Sequence, residues 1–224
     1  MSTGPTGIYG GSFDPVHIGH LRTALELYME LGLAEVRFIP SRIPPHREAP
    51  RAPAAIRVKM LRAALDGLTG FTVDERELGR DGPSYTVDTL ASLRDERPGQ
   101  AIALLLGMDA FAGLPGWYHW ESVLDYAHIV VARRPGAGLP ESGELGELYR
   151  TRRATDPAEL RDGRGRILEF EVTALDISSS AIREQVGRGR DPKFLVPDAV
   201  REIIFESHCY GVAANPAHHA RGGG

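Results

Sequence analysis

The sequence predicts a doubly wound α/β domain on a mainly parallel sheet, with a small helical C-terminal part. Three observations carry this. Short apolar runs alternate with amphipathic stretches of helical period along most of the chain. Two of the runs, AIALLL at 101–106 and AHIVVA at 127–132, are apolar without alternation, as strands covered on both faces are. Glycines close the elements: Gly10-Gly11 follows the first run, and Gly32 and Gly67 follow the first two helical stretches.

Taken in order, residues 6–9 read as a first strand that stops at Gly10-Gly11. Residues 18–31 (IGHLRTALELYMEL) place Leu21, Leu25, Tyr28 or Met29, and Leu31 at helical spacing, with Gly32 as the C-terminal cap. Residues 35–40 (EVRFIP) form a second strand, and the proline- and arginine-rich stretch 41–53 a loop. A helix over 54–65 ends at Gly67, a short strand covers 71–73, and a helix over 85–94 starts from Ser84 as its N-cap. After the two central strands, 133–166 turns to Gly, Pro, Glu and Arg and reads as a surface excursion with one short helix near 157–161. Residues 167–172 are a last strand, and 180–187 and 197–207 are helices. One domain over 1–212 is expected, its helical C-terminal part beginning near 175, with a disordered tail over 213–224.

The 224 residues are 42% hydrophobic and 25% charged, enough to bury a core without staples. The single cysteine, Cys209, excludes an internal disulfide. A net charge of −4 gives no overall electrostatic case for nucleic acid or an anionic membrane. No stretch approaches the roughly 18 apolar residues of a membrane span, and the expected location is the cytoplasm. The sequence leaves a homo-oligomer open.

The chemistry concentrates at GGSFDPVHIGHL, residues 10–21. In an open parallel sheet, ligands bind beyond the carboxyl ends of the strands. Gly10 and Gly11 stand there and let a ligand approach backbone N–H groups, while the next helix aims its positive end at the same space. The stretch is neither GxGxxG nor GxxxxGK[ST]. His17 and His20 are three apart and share a face. As cations they would oppose the helix dipole; as donors to a phosphate they make sense. Zinc is the rival reading of a histidine pair, but no cysteine or third ligand stands nearby. Near the other end, DISSSAIRE at 176–184 sets three hydroxyls at a helix start and Arg183 one turn in, a grip suited to phosphate oxygens.

Residues 11–21 (GSFDPVHIGHL) resemble the signature of the HxGH nucleotidyltransferase superfamily, whose members transfer a nucleoside monophosphate from a triphosphate and release pyrophosphate. The resemblance implies a Rossmann-like nucleotidyltransferase fold. Class I aminoacyl-tRNA synthetases share HIGH, but the chain is short and has neither a KMSKS-like motif nor a tRNA-binding appendage. DISSSAIRE resembles the superfamily's ISSTxIR motif, which implies that Ser180 and Arg183 hold the β and γ phosphates.

Three further stretches, PSRIPPHR at 40–47, YTVDTL at 85–90 and GMDAFAGLPGWYHW at 107–120, resemble the bacterial nicotinate mononucleotide adenylyltransferases. The closing LVPDAVREIIFESHCYG does too, so the resemblance runs from about residue 7 to 210. It implies catalytic His17, His20 and Arg183. It implies an ATP site of Gly10, Gly11, Ser12, Phe13, His17, His20, Gly107, Asp109, Ile177, Ser180 and Arg183. The mononucleotide would meet His46, Arg47, Tyr85, Thr86, Trp117 and Tyr118. In this pattern Trp117 stacks on the pyridine ring, the backbone N–H groups of Thr86 and Tyr118 meet its carboxylate, and His46 and Arg47 meet its phosphate. No direct protein ligand to a metal is implied; Mg²⁺ would travel with the ATP phosphates, with Asp109 near it through water. The family usually carries Asn where this chain has Ser41. A related transferase acting on phosphopantetheine or a flavin mononucleotide, and a non-catalytic nucleotide sensor, are the alternatives.

Overall fold

The structure, a computed structural model, describes residues 4–42, 49–134, 138, 142–173 and 175–211. Seven strands form one sheet in which every pairing is parallel: β1 (Thr6–Gly11), β2 (Glu35–Pro40), β3 (Phe71–Val73), β4 (Ile102–Gly107), β5 (His128–Arg133), β6 (Arg153–Ala154) and β7 (Ile167–Glu171). Their order across the sheet is β3-β2-β1-β4-β5-β7-β6. The helices are α1 (Ile18–Glu30), α2 (Ala54–Leu65), α3 (Thr86–Glu96), α4 (Met108–Ala112), α5 (Val123–Tyr126), α6 (Gly143–Arg152), α7 (Ser179–Gly187) and α8 (Asp198–Ser207).

Alternate residues of the central strands feed two separate cores, which is what winding helices on both faces requires. Ala103 and Leu105 of β4 join α1, α2, α7 and α8 in one core. Ile102, Leu104 and Leu106 join α3, α4 and α5 in the other. The sequence order reverses between β1 and β4, and there the ladder opens. The β1–β4 pairing ends at Ile8–Leu104, although both strands run three residues further. The β1–β2 pairing continues to Gly11–Pro40 and the β4–β5 pairing to Gly107–Ala132. The splayed ends of β1 and β4 therefore form a crevice at the carboxyl edge of the sheet, the usual ligand position in such folds.

The expected elements are present, with three corrections. Ser84 does not cap α3: the N-cap is Tyr85 and makes no side-chain capping bond. Ser84 Oγ instead accepts the Arg42 N–H at 3.3 Å, a longer-range partner that local sequence does not reveal. The stretch 133–166 is more than a surface excursion. It contains α6 and β6 besides the expected turn at Pro157–Leu160, and it buries Leu145, Ala154 and Leu160. Its sparse apolar residues contact the sheet edge, and that gives the segment helical and strand structure which its polar composition hides. Strand β1 runs through Gly10 and Gly11 rather than stopping before them, because β2 continues to pair with it. Gly32, at φ +59, follows the C-cap Leu31; the Leu33 N–H returns to Tyr28 O at 3.1 Å and closes α1. The tail expected to be disordered lies outside the described residues. Among the described residues no helix is long and apolar enough to cross a membrane.

Candidate active site

Two cavities open from the crevice. The larger, about 880 Å³, is lined by residues 9–14 at the end of β1 and just after it, by His17, His20 and Arg134, and by Ile177, Ser178, Ser179, Ser180 and Arg183 at the start of α7. The smaller, about 470 Å³, is lined by Ser41, Glu77, Tyr85, Thr86, Trp117 and Tyr118, among others. Tyr9, Gly10, Gly11, Ser12, Gly107, Asp109 and Ala110 line both. The two spaces thus meet over one floor. A Cβ on Gly10 or Gly107 would have no atom within 4 Å, so side chains there would occupy ligand space rather than collide with the fold. Gly11 is held differently: its Cβ would come within 3.2 Å of the buried Phe13 ring.

His17 and His20 cap α1 reciprocally. His17 is the N-cap residue; its Nδ1 accepts the His20 N–H at 3.4 Å, and His20 Nδ1 accepts the His17 N–H at 3.3 Å. The rings stack with centroids 3.7 Å apart. Both Nδ1 atoms accept, so the tautomer assigned to each neutral ring carries its proton on Nε2. Burial lowers His17 to about 4. Burial, and then the neighbouring His17, hold His20 well below the ordinary histidine range. Two neutral N–H donors therefore stand at the positive end of a helix, an arrangement that the dipole tolerates and that suits phosphate oxygens.

The three serines before α7 divide their work. Ser178 caps the helix by accepting the Ala181 N–H at 3.2 Å. Ser179 donates to Pro15 O at 2.9 Å and ties α7 to the loop after β1. Ser180 is exposed on the larger cavity and accepts from the Arg183 guanidinium at 3.2 Å. Arg183 also donates to Asp14 O at 2.8 Å. The structure therefore brings His17, His20, Ser180 and Arg183 to one cavity, from opposite ends of the chain.

Trp117 is half-buried at the smaller cavity. Tyr85 and Tyr118 face each other there with ring centroids 4.3 Å apart. The backbone N–H of Thr86, first residue of α3, lies outside the helical ladder, and neither it nor the Tyr118 N–H has a hydrogen-bond partner among the described residues. His46 and Arg47 lie outside the described residues. Ser41 lines the smaller cavity, its N–H donating to Gly11 O at 2.9 Å, and its buried hydroxyl has no partner among the described residues. Asp109 is exposed on the floor that both cavities share. Among the described residues no three His, Cys, Asp or Glu side chains are grouped as metal ligands. An exposed carboxylate on that floor, with no cluster of ligands around it, fits a cation carried mainly by phosphate and water.

Four residues of the site escape sequence reasoning. Glu77 is a buried carboxyl of the smaller cavity that accepts the Thr89 hydroxyl at 2.8 Å and is raised by burial. Arg134 lines the larger cavity, 3.5 Å from Asp176. Arg57 is 1% exposed on the inner face of α2 and donates to Ser12 O at 2.7 Å and Ser41 O at 2.8 Å. Asp14 is 2% exposed and accepts the N–H groups of Arg51 and Ala52. Arg57 did leave a signal: it shares helical spacing with Leu61, Ala64 and Leu65, an apolar face on which a charge needs a reason.

Sheet order, glycine floor and paired cavities together define a Rossmann-like nucleotidyltransferase. The cytidylyltransferase-like family matches residues 8–185. A protein of Halorhodospira halophila named "Probable nicotinate-nucleotide adenylyltransferase" is 48% identical over 92% of this chain and 94% of its own length. A Pseudomonas aeruginosa protein of the same name is 46% identical over 91% of this chain and 96% of its own. The nicotinic acid mononucleotide adenylyltransferase of Plasmodium falciparum, solved in complex with NaAD, superimposes with a TM-score of 0.72 at 16% identity, covering 92% of this chain and 97% of that one. The chain belongs to the cytidylyltransferase-like family and, within it, to the nicotinate-nucleotide adenylyltransferases.

Proposed function

We propose that the protein transfers the adenylyl group of ATP to nicotinate mononucleotide, giving nicotinate adenine dinucleotide and pyrophosphate, a step in making NAD. The observation that carries this is the shared floor: a triphosphate-sized space and a ring-sized space meet over Gly10–Ser12 and Gly107–Ala110. A phosphate bound from one side can there reach a phosphorus bound from the other.

An oxygen of the mononucleotide 5′-phosphate attacks the α-phosphorus of ATP in line. The bond from that phosphorus to the bridging oxygen breaks, and pyrophosphate leaves with the electron pair. The nucleophile is already an anion, so no general base is required, and catalysis is positioning with charge stabilisation. His17 and His20 donate Nε2–H to the triphosphate as charge grows there. Ser180 and Arg183 hold the departing pyrophosphate. Gly10, Gly11, Ser12 and Phe13 shape the cradle, and Ile177, Gly107 and Asp109 border the adenosine. Transferases of this kind use a divalent metal with ATP; here Mg²⁺ would neutralise triphosphate charge, held mainly by phosphate and water, with Asp109 near it through water.

Trp117 stacks on the pyridine ring beside Tyr85 and Tyr118, and His46 and Arg47 receive the mononucleotide phosphate. The Thr86 and Tyr118 N–H groups receive the ring carboxylate. Two donors suit an acid, whereas an amide would turn its own NH₂ towards one of them. The test supplies the protein with ATP, Mg²⁺ and one acceptor at a time, and measures pyrophosphate. Nicotinate mononucleotide should turn over at least tenfold better, in kcat/KM, than nicotinamide mononucleotide, and phosphopantetheine and flavin mononucleotide not at all. Equal turnover of acid and amide would remove the carboxylate assignment. ATP binding without pyrophosphate release would favour a nucleotide sensor.

A further inference from the structure

We infer that Tyr210 is a positioning residue of this site, keeping the Asp14 carboxylate from competing with the leaving pyrophosphate for Arg183. The inference rests on the functional reading above. Tyr210 and Asp14 stand 196 residues apart in sequence, and the Tyr210 hydroxyl donates to Asp14 Oδ1 at 2.8 Å. Tyr210 is 5% exposed and Asp14 2%. Asp14 lines the larger cavity, whereas Tyr210 lines neither.

A buried carboxylate beside a polyanion-binding space is electrostatically unfavourable unless its charge is taken up elsewhere. Three donors do this: the Tyr210 hydroxyl, the Arg51 N–H at 2.8 Å and the Ala52 N–H at 3.0 Å. The Arg183 guanidinium lies 3.7 Å from Asp14 Oδ2, beyond hydrogen-bond reach, and donates instead to the Asp14 backbone oxygen at 2.8 Å. It is thus paired with the Asp14 carboxylate by charge alone, while its hydrogen bond goes to the Asp14 backbone. Arg57, on the far side, adds a buried positive charge near the same carboxylate. Burial first, and then the Asp14 charge, push the Tyr210 phenol far above the ordinary tyrosine range, so it remains a donor at every working pH. Without that donor, Oδ1 loses its side-chain partner. The carboxylate can then turn onto Arg183 and tighten the present 3.7 Å ion pair into a hydrogen-bonded one.

The experiment is Tyr210→Phe, which keeps the ring and removes the hydroxyl. It is assayed beside the wild type, Arg183→Lys and the double variant, with rates expressed per folded protein from thermal melts. Tyr210→Phe should lower kcat/KM for ATP roughly tenfold, about what loss of a bond to a charged group produces, and leave KM for nicotinate mononucleotide within twofold. In the Arg183→Lys background the same change should add little, because both act on one interaction. Kinetics within twofold of the wild type would overturn the inference, even with a lowered melting temperature. So would a loss that adds in full to that of Arg183→Lys, or one that falls equally on both substrates. A wild type that releases no pyrophosphate would instead overturn the functional reading, and this inference with it.

Discussion

The reciprocal cap at the start of α1 gives His17 two duties that substitution can separate. Its Nδ1 holds the helix end, and its ring lines the larger cavity, where the proposed function puts the triphosphate. Asparagine is among the best N-cap residues but cannot reach as an imidazole does. His17→Asn should therefore keep the melting temperature within a few degrees while kcat falls by about two orders of magnitude. A melting temperature that collapses with the activity would mean that the loss is structural. Burial of the pair also has a pH signature. His17 is lowered to about 4, and His20 and His128 are lowered in the same direction. In the unfolded chain each regains an ordinary value of about 6.5. Between these values the unfolded state binds protons that the folded state does not, so stability falls as pH drops from about 6.5 towards 4 and is indifferent to these groups above 6.5. Urea midpoints at pH 7.5 and pH 5 should show the lower value at pH 5; an unchanged or higher midpoint would contradict the burial of these rings as neutral groups.

At the scale of elements, the site depends on anchors that lie behind the ligand spaces. Arg57 of α2 holds the loop after β1 and the residue after β2 through Ser12 O and Ser41 O. Arg57→Met should cost about 3 kcal/mol in urea unfolding, because two buried carbonyls lose their donor, and should raise KM for both substrates. A stability within 1 kcal/mol of the wild type would show that the two loops stand without it. On the acceptor side, α3 is pinned by ions: Arg76 pairs with Asp74 and Glu96, and Arg80 bonds Thr89 and Ser92. This fixes the helix start at Tyr85 and Thr86. Arg57 showed in the sequence only as a charge on an apolar helix face, and the partners of all these anchors were not legible, because no local spacing pairs Arg57 with Ser12 and Ser41 or Arg76 with Glu96. The helices and strands were legible because apolar spacing is local, as at 54–65 and 101–106. Where burial came from a few isolated residues, as with Leu145 and Ala154, local reading described α6 and β6 as excursion. Ser84 was assigned to the helix beside it, whereas its partner is Arg42.

The described residues form a sheet opened at its switch point, with the starts of α1 and α7 beside one side of the opening. The two motifs that defined the site in sequence, GGSFDPVHIGHL and DISSSAIRE, meet at the larger cavity because α1 and α7 pack on the same face of the sheet. Their suitability for phosphate was readable from residue types, and their kinship from the resemblance to the nucleotidyltransferase superfamily. The carboxylate, phenol and guanidinium network behind them was not, because Asp14 reads locally as a turn residue and Tyr210 as the end of a helix. ATP and the mononucleotide are proposed to meet over one floor, and a crystal structure with nicotinate adenine dinucleotide would show whether they do. The expected result is one dinucleotide spanning both cavities, adenosine beside Gly107 and Ile177, pyridine on Trp117, and its pyrophosphate bridge over Gly10–Ser12. A dinucleotide confined to one cavity, or bound away from both, would contradict it.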